Sequence, residues 1–192
     1  APRIRSLIKG AHMHDVGKIA VRDDILLKPG PLDAAETAEM RRHVHYGLEI
    51  IASSGWLADA REIVAGHHEK FDGKGYPNGL SGEAIPLLPR VFAVADVFDA
   101  LTSRRPYKAA LPVAEVVPML EAERGRHFDP AVLDAFFAVL AERGEVLPRL
   151  TGSLAEQAVE KSIARYFAIP VRPAAQRAGG AALYGRHLPS VG

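Results

Sequence analysis

The sequence predicts an all-α fold, and three observations carry that expectation. Apolar residues recur at helical spacing in one stretch after another. Most of those stretches open or close on helix-terminating signals, and none alternates with the period of two that a half-buried strand needs. The elements follow in order. Arg3 to about Val16 mixes apolar and polar residues and runs out near Gly17. Val21 to Pro31 is a connector closed by Lys28-Pro29-Gly30-Pro31. Asp33 with Glu36 forms a capping box that opens a long helix to about Ser54. A third helix is expected from Trp56 to Glu69. Phe71 to Gly82 then carries Gly73, Gly75, Pro77, Asn78, Gly79 and Gly82, too many breakers for a regular element. Pro86 to about Leu101 is strongly apolar and makes a fourth helix. Pro112 suits the first turn of another, and Asp129-Pro130 supplies an N-cap followed by proline at the first helical position of a helix that stops near Gly144. Ser153 with Glu156 is a second capping box, opening a helix to about Ala168 in an additional C-terminal segment over 146–168. The remainder, 169–192, is rich in Pro, Arg, Ala and Gly without periodicity and is expected to be a flexible basic tail. The division expected is a domain over 1–145, a helix and a tail.

Composition narrows the function classes. The chain has 192 residues, 48% of them apolar and 24% charged, the balance of an ordinary globular protein. No apolar run approaches the ~20 residues of a membrane span, and no leader is apparent, so a cytoplasmic protein is expected. The absence of cysteine excludes a disulfide scaffold, thiolate metal sites and a cysteine nucleophile. The net charge of +1 hides an asymmetry: Lys161, Arg165, Arg172, Arg177 and Arg186 follow Glu160 with no acid among them, so residues 161–192 carry +5 and the body −4. The tail is read as a solvated terminus, with no nucleic acid as partner. Six of the eight histidines (His12, His14, His43, His45, His67 and His68) crowd the first part of the chain. Without cysteine, that clustering points to a metal held by nitrogen and oxygen.

Periodicity separates inward from outward polar groups. Met40, His43, Gly47 and Ile50 fall on one stripe of the second helix, whereas His45 lies among Arg41, Arg42 and Glu49. Ile63, Val64 and His67 share a face of the third helix, with His68 beside it. In the fourth, Val91 to Leu101 is apolar almost all round except for Asp96 and Asp99, which share a face expected to be buried. A buried carboxylate needs a metal, a cation or several hydrogen bonds. His14 and Asp15 diverge by about 100° on a helix, yet both can line one cavity, which Lys18 reaches from one turn on. Each feature also has a plain structural alternative. His14-Asp15 could be a bonded pair at a helix end, and His67-His68 surface residues beside a turn. Asp96 could be salt-bridged to Lys18 or Arg105, and Asp99 bonded near Thr102 or Ser103. Phe71–Gly82 could be an ordinary turn, and Arg104, Arg105 and Lys108 a solvated helix end. His12, His45, His127 and His187 are read as structural or exposed.

Taken together and in order, the motifs resemble those of a known family. His14-Asp15 followed by Gly17-Lys18-Ile19 resembles the HD signature of metal-dependent phosphohydrolases. His67-His68-Glu69, Asp72-Gly73 and Gly75-Tyr76-Pro77 resemble the signature of the HD-GYP subfamily. Ile25 to Gly30, then Ala95 to Ser103 and Arg105-Pro106-Tyr107-Lys108, complete the set, from about Leu7 to Leu140.

The resemblance implies an HD-type helical bundle that hydrolyses cyclic di-GMP to pGpG or GMP. His14, Asp15 (bridging), His43, His67, His68 and Asp96 would be the metal ligands. Lys18 would neutralise charge on the phosphate, Arg105 and Lys108 would hold phosphates, Tyr76 would line the substrate site, and Asp99 would orient neighbouring groups. Chemistry is consistent with this: a phosphodiester repels hydroxide, and two ions ~3.5–4 Å apart both generate the nucleophile and neutralise the phosphate. Mixed His and carboxylate ligands suit Fe, Mn or Zn better than Ca or Mg; the family resemblance favours Fe or Mn, with Zn or Ni as alternatives. The family draws a further histidine from an upstream helix that this sequence does not show, so two metals are expected and a third is not. The resemblance also implies a diguanylate cyclase or an upstream regulatory domain as partner, and a homodimer. Two other readings are an HD phosphohydrolase for another cyclic dinucleotide and a non-catalytic interaction module.

Overall fold

The computed structural model describes residues 2–104 and 109–143. The chain divides into two units, 1–144 and 145–192; the second lies outside the described residues, as do the helix and tail expected there and the Arg105–Lys108 motif.

Eight α-helices are described: α1 (Pro2–Met13), α2 (Asp23–Leu26), α3 (Ala34–Arg41), α4 (His43–Ala52), α5 (Arg61–Gly66), α6 (Leu87–Thr102), α7 (Val113–Ala122) and α8 (Pro130–Arg143). Short 3-10 turns cover Val16–Ala20, Gly55–Ala60 and Gly82–Ala84. Among the described residues the only extended pairing is two isolated bridges, Asp72 with Ser81 and Arg124 with Phe128. The all-α expectation holds.

Several boundaries differ from those read in the sequence. The Asp33–Glu36 capping box forms as expected, each side chain accepting from the other residue's backbone N–H. The long helix it opens is interrupted at Arg42, so α3 and α4 are separate segments. The third helix is half 3-10, and α5 ends at Gly66, leaving His67 and His68 in the turn beyond it. The first helix ends at Met13, so His14 and Asp15 occupy a helix-to-turn junction, not a helix. Packing explains that early end. A β-carbon on Gly17 would overlap the His43 carbonyl oxygen and the Gly47 backbone nitrogen. The chain after Asp15 thus lies directly against α4, an approach that only glycine permits.

Two clusters of buried side chains hold the first part together. Ile51, Ala60 and Val64 pack with Met13, Val16, Leu48 and Leu57; Ile63, Leu88 and Phe92 pack with Leu7 and Ala11. A third cluster joins α6 to α7 and α8 through Ala93, Val94, Val116, Leu120, Phe128 and Leu133. Asp129 caps α8, accepting from Ala131 N–H at 2.8 Å, and also binds Arg90 of α6 at 2.5 Å. Helix α6 is therefore common to both halves of the core. Its apolar girdle is less complete than its composition implies, because Asp99 is exposed.

Candidate metal centre

Four side chains from three separate segments of the sequence meet at one point. Asp15, His43, His67 and His68 each offer a ligand atom, and these atoms all lie within 4.8 Å of one another. His43 Nε2 is 3.5 Å and His67 Nε2 3.9 Å from Asp15 Oδ1. Helix α4 presents His43 inward, where it has no exposed surface, and turns His45 outward to Glu49. That is the division predicted from periodicity.

Backbone carbonyls aim the rings. Nδ1–H donates to the Met40 carbonyl in His43 (2.7 Å), to the Val64 carbonyl in His67 (3.0 Å) and to the Ala11 carbonyl in His14 (2.7 Å). A neutral imidazole that donates from Nδ1 carries a lone pair on Nε2. His43 Nε2 and His67 Nε2 therefore face each other as lone pairs at 3.3 Å, an arrangement that is repulsive unless a cation lies between them. Burial keeps these rings neutral. It lowers the His43 pKa, and burial with the neighbouring His14 and His43 pushes His67 down to about 4. Burial with His67 and His43 pushes His68 down to about 3. Asp15 Oδ1 is buried without a hydrogen-bond partner. Its carboxyl is nonetheless held far below the usual range: burial opposes ionisation, but the His14 and Lys18 bonds overcome it. An ionised, orphaned carboxylate oxygen facing unprotonated imidazoles is a donor set that fits a divalent transition metal.

The remaining predicted site residues are placed differently. His14 borders the group, its Nε2 3.3 Å from Asp15 Oδ2 and its ring against His67 and Phe92. Burial, the largest single influence, lowers its pKa, but the Asp15 and Ala11 bonds and the charges of Asp15 and Asp96 together outweigh it, and the net shift is upward. Asp96 is half-buried on α6, and neither it nor His14 belongs to the tight four-residue group. Lys18 Nζ donates to Asp15 Oδ2 at 2.6 Å. Asp99 accepts from Ser103 Oγ at 2.9 Å, the structural bond foreseen as its alternative, since its helix turns it to solvent. Arg105 and Lys108 lie outside the described residues.

Tyr76 stacks on His68, with ring centroids 4.5 Å apart and planes at 22°. Burial pushes its hydroxyl up to about 12, against the opposing charge of Arg41. Its loop folds back because Gly75 has no side chain: a β-carbon there would overlap the Lys70 nitrogen. The Tyr76 N–H donates to the His68 carbonyl at 3.2 Å, and Phe71 and Asp72 N–H donate to the His127 and Arg126 carbonyls.

Two residues carry contacts at the site to which the sequence assigns no role. Glu69 is buried, and its carboxylate accepts from Asn78 N–H at 2.8 Å and Leu80 N–H at 2.9 Å, anchoring the loop. Its signal was an acid directly after two inward histidines. Arg41 places its guanidinium 4.8 Å over the Tyr76 ring; nothing in helical spacing marks it, because the contact is between distant segments.

Similarity to known proteins agrees with this geometry. The HD domain family matches residues 3–132. The chain is 50% identical over 131 residues to the 3'3'-cGAMP-specific phosphodiesterase 2 of Vibrio cholerae, covering 67% of this chain and 25% of that protein. It is 43% identical over 158 residues to the cyclic di-GMP phosphodiesterase response regulator RpfG of Xanthomonas campestris, covering 81% and 42%. A Thermotoga maritima cyclic di-GMP phosphodiesterase is 42% identical over 141 residues, covering 72% and 38%. The chain thus spans less than half the length of each of these relatives. A crystal structure of a cyclic GMP-AMP specific phosphodiesterase from V. cholerae (V-cGAP3) superposes with a TM-score of 0.61 at 19% identity, covering 82% of this chain and 43% of that one, a likeness of fold. With the HD and GYP motifs flanking one histidine–carboxylate cluster, the chain belongs to the HD-domain family, in its HD-GYP branch.

Proposed function

We propose that this chain is a metal-dependent phosphodiesterase that opens cyclic di-GMP to pGpG or GMP. The observation that carries the reading is the buried, unpartnered Asp15 Oδ1 facing the unprotonated Nε2 atoms of His43 and His67. His14, Asp15, His43, His67, His68 and Asp96 would hold two divalent ions, Fe or Mn before Zn or Ni. Once bound, the ions would supply activated water and charge neutralisation at the phosphate. Asp15 serves both sides of the cluster, with Oδ1 toward His43 and His67 and Oδ2 toward His14 and Lys18. Lys18 brings a positive charge to the same carboxylate and is placed to offset charge on a phosphate entering there. Tyr76 carries the site outward from His68 as a wall for the substrate, and Arg105 and Lys108 are proposed to hold its phosphates. Asp99, bonded to Ser103, is proposed to act by orienting the end of α6.

A second reading is favoured by one observation: the 50% identical relative is named for 3'3'-cGAMP. Metal content by elemental analysis, with turnover of cyclic di-GMP and 3'3'-cGAMP in parallel, tests both. The expected result is bound Fe or Mn, release of pGpG or GMP, and loss of turnover in Asp15→Ala. Metal-loaded protein that leaves cyclic di-GMP intact while cleaving 3'3'-cGAMP would replace the first reading with the second. Among the described residues no helix is long and apolar enough to cross a membrane. A cyclase or regulatory-domain partner, and a homodimer, are proposed from the family resemblance.

A further inference from the structure

A cleft of about 500 Å³ adjoins the metal centre on the far side of Tyr76, lined by Arg41, Arg42, His45, Leu48, Tyr76 and Asn78 among others. Its basic side chains are not equivalent. Arg42 is paired with Glu39 at 3.0 Å and lies over Tyr46, and His45 is paired with Glu49 at 3.1 Å. Arg41 is exposed and has no carboxylate partner among the described residues; its guanidinium lies over the ring of Tyr76. Planar groups therefore form a ladder leading out of the cluster. His67 packs on His68 at 4.1 Å, His68 stacks on Tyr76 at 4.5 Å, and Arg41 covers Tyr76 at 4.8 Å.

The outer end of that ladder is a guanidinium whose donors make no hydrogen bond among the described residues. Such a group is planar, stacks on rings, and presents a fixed fork of N–H donors with no acceptor. Guanine offers that fork two acceptors on one edge, O6 and N7. Adenine replaces the first by an amino donor, which a guanidinium cannot accommodate. Both nucleobases stack on planar cations, so stacking alone would not discriminate between them. His68 stacks on Tyr76 and Arg41 lies over the same ring, so the guanidinium is the planar group of this ladder that the cleft offers to a base.

We propose that Arg41 is the guanine-reading residue of this site, taking a base of the cyclic dinucleotide in the Tyr76 cleft and setting the preference for guanine over adenine. The assignment rests on the cyclic dinucleotide reading above.

The test uses the full chain loaded with Mn, with Arg41→Ala and Arg41→Lys, and cyclic di-GMP as substrate. Cyclic di-AMP is measured as substrate or as competitive inhibitor of the same reaction. Metal content and melting temperature matching wild type establish that the exposed substitution leaves the fold intact. Arg41→Ala is expected to lower kcat/KM for cyclic di-GMP by about ten- to a hundredfold, the range of one bidentate contact to a base. The loss falls mainly on KM, while the constant for cyclic di-AMP shifts by less than about twofold on the same argument. Arg41→Lys does not restore the preference, because an ammonium keeps the charge and loses the fork. Equal losses on both dinucleotides would instead make Arg41 a phosphate or loop-supporting residue and overturn the assignment. An unchanged KM, or full rescue by lysine, overturns it as well. Wild-type protein that neither cleaves nor binds cyclic di-GMP is a different failure: it removes the dinucleotide reading itself, and this assignment with it.

Discussion

Replacing Glu69 by Gln changes one buried atom and should release the loop that carries Tyr76. The side chain is 2% exposed, and its two oxygens each accept one backbone N–H, from Asn78 at 2.8 Å and from Leu80 at 2.9 Å. Glutamine keeps one acceptor but turns an NH₂ toward the other N–H, so one bond to a charged group is lost and a buried donor is stranded. Bonds to charged groups contribute about 1.5–3 kcal/mol, and an unsatisfied buried donor costs about 1–3 kcal/mol. The surviving bond also becomes a neutral one. A local loss of about 3 kcal/mol is therefore expected, concentrated in 71–82. At about 1.4 kcal/mol per factor of ten, protection of the Asn78 and Leu80 amides against hydrogen exchange should fall by about a hundredfold. The amides of α6, which this carboxylate does not touch, serve as the internal reference. Tyr76 should lose its fixed stacking on His68, and substrate KM should rise. Loop amides as protected as in wild type, at unchanged α6 protection, would refute the anchoring argument.

Gly17→Ala should be severe for its size: the new methyl must displace the His43 carbonyl or the Gly47 backbone nitrogen. Overpacking of this kind costs about 1–3 kcal/mol or more, and here it also separates Asp15 from His43. Lower stability in urea together with reduced metal content is expected; a variant that binds metal normally would contradict it. The metal-free protein should lose stability as pH falls below about 6.5, the ordinary histidine value. His67 at about 4 and His68 at about 3 resist the protons that the unfolded chain accepts, and His43 and His127 are shifted the same way. Their contribution is complete above the unfolded value and is lost on acidification. His14, shifted upward, acts oppositely: its contribution is present at low pH and lost as pH rises through its folded value. His67 and His68 alone give a slope of about 2 kcal/mol per unit between pH 6 and 5, to which His43 and His127 add. Urea titrations with chelator across that window would show the error as a flat or inverted slope.

Much of this molecule is legible along the chain because the controlling physics is local. The Asp33–Glu36 box, the proline start of α8 and the glycine-rich loop are decided by capping and backbone freedom within a few residues. The inward His43 and outward His45 follow from helical periodicity alone, and the HD and GYP motifs mark the chemistry in one dimension. Periodicity reports which face of a helix is apolar, however, and not which segment covers it. That Asp15 reaches His43 depends on Gly17 resting against the backbone of α4. The exposure of Asp99, despite its apolar surroundings in sequence, follows from the cluster shared with α7 and α8 lying on the face of α6 that carries Ala93, Val94, Val97 and Phe98. Glu69 reaches Asn78 and Leu80 only because Gly75 lets the loop turn back on the His68–Lys70 backbone. Arg41 meets Tyr76 across two segments that share no sequence pattern. Sequence by itself determined the all-α class, the loop and the kinds of candidate ligand; the close approaches between segments, which no local preference encodes, decided where the helices break and which of those residues meet.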